Sequence, residues 1–163
     1  MTHAQDISRA QSALAAGGFA AAVAAVSILG GLATASSVGT WYQTLAKPWF
    51  NPPDWIFGPV WTALYIMIAA AGWRVWRRIG FGDRAAFAAY GLQLALNLMW
   101  SVIFFGLREP GAALLELALL WIAIAITLVR FWRHDKTAGL LFLPYIAWVS
   151  FAGALNAAIW RLN

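Results

Sequence analysis

The chain contains five long stretches that are almost free of charged residues, and this charge spacing constrains its fold more than any other feature. Four of the stretches are uncharged, at residues 10–46, 55–73, 85–107 and 137–160, and residues 110–129 carry one carboxylate, Glu116. A helix needs about 20 apolar residues to cross about 30 Å of hydrocarbon, whereas a membrane strand needs about 10 with polar alternation. That alternation is missing from the sequence. We therefore predict an all-α membrane protein, a bundle of five transmembrane helices at about residues 13–35, 58–76, 85–106, 111–132 and 138–160.

The composition supports a membrane protein and excludes several kinds of site. Of the 163 residues, 63% are hydrophobic and 10% are charged, against about 25% charged in an ordinary soluble domain. The chain has no cysteine, which excludes disulfides, thiol catalysis, zinc–thiolate sites and iron–sulfur clusters. The net charge of +5 comes from Lys and Arg scattered beside apolar stretches. These residues are expected to flank the membrane, and we predict no nucleic-acid partner.

The connections between stretches predict both topology and orientation. Most are short, so consecutive helices should be antiparallel neighbours within a single domain, residues 1–163. Eight Lys or Arg lie on the side of the N-terminus and three on the other side. The positive-inside rule then predicts a multi-pass protein of a bacterial cell membrane with a cytoplasmic N-terminus. An alternative treats the first stretch as a secretory signal, but its 23 apolar residues from Ala13 to Ala35 exceed the usual 7 to 15.

The one long connection, after the first helix, is rich in tryptophan and proline. Between Thr40 and Thr62 it contains Trp41, Trp49, Trp55, Trp61, Pro48, Pro52, Pro53 and Pro59. Proline fixes φ and disfavours helix at the residue before it, and Trp prefers sites that are wet at one edge and apolar at the other. Long connections in compact domains are usually functional or disordered, and this one is too aromatic for disorder. We predict a stiff, non-helical, aromatic lid.

Four motifs resemble the translocator protein family, also called tryptophan-rich sensory proteins, peripheral-type benzodiazepine receptors or TspO/MBR proteins. The resemblance covers nearly the whole chain. The motifs are Trp41–Tyr42 with Lys47–Pro48–Trp49–Phe50–Asn51–Pro52–Pro53; Gly58–Pro59–Val60–Trp61; Gln93–Leu94–Ala95–Leu96–Asn97 with Trp100 and Phe104–Phe105–Gly106; and Leu143–Pro144–Tyr145–Ile146–Ala147–Trp148 with Leu155–Asn156.

The resemblance implies a five-helix homodimer that binds porphyrins such as protoporphyrin IX or haem as ligands. We expect no required cofactor, and the sequence has no His and carboxylate cluster that would predict a metal site. Eukaryotic members also bind cholesterol and benzodiazepine-type drugs, so lipids and such drugs are further candidate ligands. Bacterial members are linked to porphyrin regulation and stress responses. Some promote light-dependent breakdown of protoporphyrin, and transport is contested. We therefore expect a tetrapyrrole-binding sensory or translocator protein that is not an enzyme. A light- and oxygen-dependent porphyrin-degrading enzyme and a porphyrin or lipid transporter remain the alternatives.

The candidate ligand-binding residues combine this resemblance with the chemistry of a porphyrin, a flat apolar disc with two carboxylates at one edge. Such a ligand needs aromatic walls and a few polar or cationic groups at the rim. The candidates are Trp41, Tyr42, Lys47, Trp49, Phe50, Trp61, Gln93, Asn97, Trp100, Tyr145, Trp148, Ala152 and Asn156. Lys47 is the candidate partner for a carboxylate. Trp61 and Trp148 match family positions implicated in porphyrin breakdown, so they are the candidate catalytic residues if breakdown occurs.

Each candidate also has a plainer structural role. Trp41 and Trp49 would equally suit an interfacial belt, the role favoured for Trp73, Trp76, Trp132 and Trp160 beside arginines. Gln93, Asn97 and Asn156 would equally join helices, because amides in hydrocarbon must find partners.

Three further features bear on ligands. Glu116 either snorkels, sits protonated in a helix contact or faces a ligand. His3 and His134 lie outside the predicted helices, so iron coordination is not expected. The Leu155–Arg161 segment lacks the tyrosine of a cholesterol-recognition pattern, which argues against specific sterol binding.

Overall fold

The computed structural model describes residues 8–163, which form five long helices and no strand, as predicted. Each of the five is long and apolar enough to cross a membrane. We number the helices α1 (Arg9–Ala35), α2 (Trp41–Thr44), α3 (Phe57–Ile79), α4 (Arg84–Ser101), α5 (Pro110–His134) and α6 (Lys136–Leu162). The short helix α2 lies in the long connection after α1.

Local sequence signals set most of the helix ends. Ser8 and Gln11 form a reciprocal capping box at the start of α1, which satisfies amide groups that have no partner inside the helix. The carboxylates of Asp83 and Asp135 accept the backbone N–H groups of α4 and α6 in the same way. Pro110 opens α5, where its missing N–H costs nothing.

The long helices pack around an aromatic and aliphatic core. Helix α5 packs between α4 and α6, and α1 and α3 close the other side of the bundle. Gly72 on α3 allows close contact: a Cβ there would lie 2.7 Å from the Phe19 ring and 2.9 Å from the Tyr90 ring. Tyr90 in turn stacks on Phe131 with ring centres 5.6 Å apart.

The long connection contains more helix than we predicted. Besides α2, a 3₁₀ turn at Asp54–Ile56 leads directly into α3. Helix α3 therefore begins at Phe57, and Trp61 lies one turn inside it. Proline is common in the first turn of a helix and rare in its interior. Pro59 lies in the first turn of α3. The prediction of a wholly non-helical connection was wrong for Trp41–Thr44 and Asp54–Ile56, whereas a helix from about residue 58 was predicted.

Helix α4 ends in a π-helical turn, Val102–Gly106, in which the Leu107 N–H donates to the Val102 carbonyl at 2.9 Å. A π turn holds one more residue than an α turn and is often found at functional sites. Here it lets two adjacent aromatic residues, Phe104 and Phe105, both be buried.

Ion pairs join the helices at the end of the bundle opposite the long connection. The Asp135 carboxylate, only 2% exposed, lies 3.0 Å from Arg74 Nη2 and 2.8 Å from Arg78 Nε. Burial raises the pKa of Asp135, but the Ala138 N–H and the two guanidinium groups outweigh it, so the net pKa is lowered. This carboxylate is therefore ionised at neutral pH and couples α3 to the start of α6.

Candidate ligand-binding pocket

A cavity of about 490 Å³ lies inside the bundle at the end covered by the long connection. Helices α1, α3, α4 and α6 and the connection itself contribute its walls. A volume of about 300–1,000 Å³ is usual for a small-molecule site. The position of this cavity brings residues from four of the sequence motifs to one place.

One wall of the pocket consists of small side chains from α1. They recur at helical spacing on a single face: Ser27, Gly30, Gly31, Thr34 and Ala35. These residues keep the wall flat, and a Cβ added at Gly31 would meet nothing within 4 Å. Sequence reasoning missed this wall, because α1 is rich in alanine and glycine along its whole length and the spacing of its small residues therefore selects no single face.

The other walls are aromatic. Trp61 and Tyr65 come from α3, Trp100 from α4 and Trp148 from α6. The Trp61 ring lies 5.4 Å from Tyr65 and 6.2 Å from Tyr145, centre to centre. These contacts fix the position of the indole while it lines the cavity, an arrangement that favours a flat apolar ligand.

Trp100 and Asn156 form a polar edge within this aromatic lining. The Trp100 Nε1–H donates to Asn156 Oδ1 at 3.1 Å, and the Asn156 amide donates to the Pro110 carbonyl at 2.7 Å. Trp100 also stacks on Phe104, with ring centres 5.1 Å apart. Asn156 thus lines the pocket and also ties α6 to α4 and α5, so both roles expected of it are present.

A chain of hydrogen bonds leads from the pocket into the core. The Tyr65 hydroxyl donates to Asn97 Oδ1 at 2.7 Å, the Asn97 amide donates to the Tyr145 hydroxyl at 3.1 Å, and that hydroxyl donates to Gln93 Oε1 at 3.0 Å. Only Tyr65 of these four lines the pocket. The sequence placed Gln93, Asn97 and Tyr145 among the ligand-binding candidates, but the structure places them behind the wall, joining α3, α4 and α6.

The connection after α1 closes the pocket as a lid, which we define as residues 36–56. Polar contacts at two points fasten it to the bundle, at Ser37 and at Ala46, and one further bond, between Gln43 and Asp54, lies within the lid. Ser37 Oγ donates to the Phe105 carbonyl at 2.7 Å, Gln43 Nε2 donates to Asp54 Oδ2 at 2.8 Å, and Asn163 at the end of the chain exchanges hydrogen bonds of 2.9 and 3.1 Å with the Ala46 backbone.

Tyr42 is the centre of the lid. It lines the pocket and is 4% exposed, and its hydroxyl donates to Asn51 Oδ1 at 3.0 Å. Burial, with a contribution from Asp54, raises the pKa of Tyr42 to about 12, so the phenol stays neutral. The Lys47 ammonium lies over the same ring, 4.6 Å from its centre. Lys47 is thereby held beside the pocket without lining it.

Three other aromatic candidates lie outside the pocket lining. Trp41 packs against Phe104, with ring centres 5.8 Å apart, and Phe50 packs against Phe151 at 6.3 Å. Trp49 is 96% exposed, and Trp55 of the same connection is 73% exposed. Of the predicted set, the pocket contains Tyr42, Trp61, Trp100, Trp148, Ala152 and Asn156.

The remaining titratable candidates do not line the pocket. Glu116 is 8% exposed and does not snorkel, and neither of its carboxylate oxygens has a hydrogen-bond partner among residues 8–163. His134 Nε2 lies 2.9 Å from Asp83 Oδ2 at the opposite end of the bundle. His3 lies outside the described residues. The described residues hold no cluster of three or more His, Asp or Glu that would suit a metal.

Comparisons with known proteins agree with the motifs. The model of the TspO/MBR family matches residues 19–161. The tryptophan-rich protein TspO of Archaeoglobus fulgidus is 45% identical over 142 residues, which are 87% of this chain and 92% of the relative. Protein CrtK of Rhodobacter capsulatus is 40% identical over 89% of this chain and 92% of its own. The human translocator protein is 41% identical over 76% of this chain and 75% of its own.

Proposed function

Because the chain belongs to the TspO/MBR family and is a multi-pass membrane protein, we propose that its sensory or translocator role rests on binding a tetrapyrrole in the lid-covered pocket. The observation that supports this proposal is the cavity itself, which is lined by Trp61, Trp100 and Trp148 and by a wall of small α1 side chains. Protoporphyrin IX and haem are the candidate ligands, and no catalytic step is needed.

The shape and chemistry of the pocket support this ligand class. A tetrapyrrole presents two broad π faces, and each face gains from contact with an indole or phenol ring by about 0.5–1.5 kcal/mol beyond area burial. The flat α1 wall accepts one face while the aromatic walls accept the edge and the other face. Haem would be bound by its ring, because the one histidine in the described region, His134, lies at the far end of the bundle.

Lys47 supplies the cation for a ligand carboxylate. Its ammonium lies over Tyr42, which itself lines the pocket. A cation–π contact at a partly exposed site contributes about 0.5–1 kcal/mol, less than a charge-assisted hydrogen bond to a carboxylate at about 1.5–3 kcal/mol. Lys47 would therefore leave the ring and pair with a propionate when a porphyrin is bound.

Titration of the purified protein with protoporphyrin IX tests the proposal. We expect saturable quenching of tryptophan fluorescence and a shifted porphyrin absorption band at micromolar ligand. Trp61→Phe and Trp148→Phe should weaken binding, because each removes an indole from the lining. Trp121→Phe is the matched control, since Trp121 is 41% exposed and bonded to Ser150 on the outside of the bundle. Unsaturable quenching, or equal affinities for all three variants, would contradict the proposal.

A second candidate function is light-dependent porphyrin breakdown by molecular oxygen. The observation that favours it is that both candidate catalytic residues, Trp61 and Trp148, line the same cavity. An indole there would lie against a photoexcited macrocycle and could donate an electron to it. Illumination of the aerobic complex while the porphyrin absorption is followed decides the matter. Bleaching at the same rate with and without protein removes this candidate.

Orientation forms part of the proposal. With the N-terminus in the cytoplasm, the lid and pocket open on the outer side of the membrane. Because the chain has no cysteine, single cysteines at Trp49 and Phe81, which are 96% and 64% exposed, report the two sides. In intact cells an impermeant maleimide should label the position of Trp49 and leave that of Phe81 unlabelled. The reverse pattern would invert the orientation.

A further inference from the structure

A second hollow of about 440 Å³ lies on the outside of the bundle, between α3 and α6. Two matched stripes line it, one on each helix: Val60, Ala63, Leu64 and Met67, and Pro144, Ala147, Trp148 and Phe151. Both stripes follow the i, i+3, i+4, i+7 spacing of a single helix face. We call this hollow the α3/α6 groove.

The depth of the groove places it within one leaflet. Val60 lies three residues and Met67 ten residues after the start of α3 at Phe57. At 1.5 Å per residue the groove runs from about 5 to 15 Å below that end of the helix, and one leaflet supplies about 15 Å of hydrocarbon. The groove therefore opens toward the acyl chains of the leaflet on the lid side.

The shape of the groove distinguishes between two apolar occupants. A helix of a second copy would need small residues at i and i+4 for close backbone approach. In the groove, the residues four positions after Ala63 and Ala147 are the bulky Met67 and Phe151. A helix is about 10 Å wide with its side chains, whereas a hydrocarbon chain is narrow enough to lie between the two stripes above the alanines.

We propose that the α3/α6 groove binds one acyl chain of a membrane lipid, seated over Ala63 and Ala147. All eight side chains along it are apolar, as a hydrocarbon occupant requires. Trp148 lines both this groove and the internal pocket, so one indole separates the lipid chain from the pocket ligand. This site does not depend on tetrapyrrole binding, because its walls and its occupant are defined without it.

The test uses phosphatidylcholine with a photoactivatable diazirine in one acyl chain, added at near-stoichiometric amounts to the full chain in detergent without porphyrin. Scarce lipid limits labelling to sites that retain it. Mass spectrometry should locate the label within residues 60–67 and 144–151. Ala147→Phe, which fills the groove, should reduce labelling there about tenfold, the loss expected when about two methylene groups are displaced.

Ala118→Phe is the matched control, since Ala118 is an exposed alanine on α5 away from the groove, and it should leave the labelling unchanged. Ala63→Phe fills the same groove from α3 and should reproduce the loss if Ala147→Phe folds poorly. A lipid brominated along one acyl chain provides a measurement on the native lining: it should quench the wild-type protein more than Trp148→Phe.

Three results would overturn the proposal. Label spread equally over the exposed faces of the other helices would show non-specific surrounding lipid only. Unchanged labelling in both groove-filling variants would exclude the groove. Disulfide formation between two copies carrying Ala147→Cys, together with absent lipid label, would assign the groove to a second copy of the chain.

Discussion

The hydrogen-bonded chain behind the pocket makes a quantitative prediction about Tyr145. Its hydroxyl accepts from Asn97 and donates to Gln93, and the residue is fully buried. Side-chain hydrogen bonds between membrane helices contribute about 0.6 kcal/mol on average and at most about 1.7. Tyr145→Phe removes two of them, so we expect the free energy of unfolding to fall by about 1–2 kcal/mol.

Tyr90→Phe is the matched control for this loss. Tyr90 is also buried, at 4% exposure, but its hydroxyl makes one bond, 3.2 Å long, to the Ile68 carbonyl of a helix. Its removal should cost about 0.5 kcal/mol, near the average for a single bond. Detergent-solubilised protein unfolded with increasing sodium dodecyl sulfate, followed by circular dichroism, measures both values.

A double-mutant cycle identifies the cause of the loss. Asn97→Ala combined with Tyr145→Phe should destabilise by less than the sum of the single changes, because both remove the same bond. Asn97→Ala combined with Tyr90→Phe should be additive. Equal losses for the two tyrosine variants, or additivity in both cycles, would refute the idea that the chain acts as a unit that holds α3, α4 and α6 together.

Three further changes have predicted outcomes. Glu116→Leu should raise the free energy of unfolding by about 1–3 kcal/mol, because it removes a buried carboxylate without hydrogen-bond partners in the described structure. Gly139→Ala should lower it by about 1–3 kcal/mol, since the added Cβ would lie 2.9 Å from the Trp132 Cα. Asp135→Asn should make the free energy of unfolding depend less on pH in the acid range. Because the pKa of Asp135 is lowered, its stabilisation is present above about pH 4 and is lost as the pH falls further.

Controls for these three use the same unfolding measurement. Glu109→Leu changes an exposed carboxylate and should be neutral, in contrast to Glu116→Leu. Gly17→Ala, where a Cβ meets nothing within 4 Å, should be neutral or slightly stabilising because alanine favours helix. If the free energy of unfolding of Asp135→Asn still falls below about pH 4 as it does in the wild type, the ion pairs of Asp135 contribute nothing measurable.

The fold was predictable because hydrophobic length alone fixes membrane helices. A stretch of about 20 residues with at most one charge identified each long helix, and the bilayer leaves few alternatives to a bundle. The site was predictable only in part. Trp61 and Trp148 lie on the pocket as their motifs indicated, whereas the orientation of Gln93 and Asn97 depended on which neighbouring hydroxyl groups the packed helices brought within reach. One-dimensional spacing places residues on a helix face but does not say whether that face meets a cavity or another helix.

The α1 wall of the pocket was not predicted for a similar physical reason. Glycine and serine in a membrane helix permit close helix contact, and a cavity is formed when the opposing helix does not approach. Gly30 illustrates the first case, because a Cβ there would lie 3.3 Å from Ser101 Oγ, and Gly31 the second, because it faces open space. Both glycines line the pocket, but only Gly30 is also in close contact with α4, and glycine chemistry alone does not distinguish the two positions.

The π turn at Val102–Gly106 gives the lid an attachment that does not depend on the lid's own tryptophans. In this wide turn the Phe105 carbonyl accepts a hydrogen bond from the buried Ser37 Oγ. The Arg108 Nε–H donates to the same Oγ at 3.4 Å. Removal of one residue from the turn would restore an ordinary helix and withdraw the Phe105 carbonyl. The length of this segment is therefore tied to the attachment of the lid, so an insertion or deletion in the turn should loosen the cover of the pocket even when every residue of the lid is unchanged.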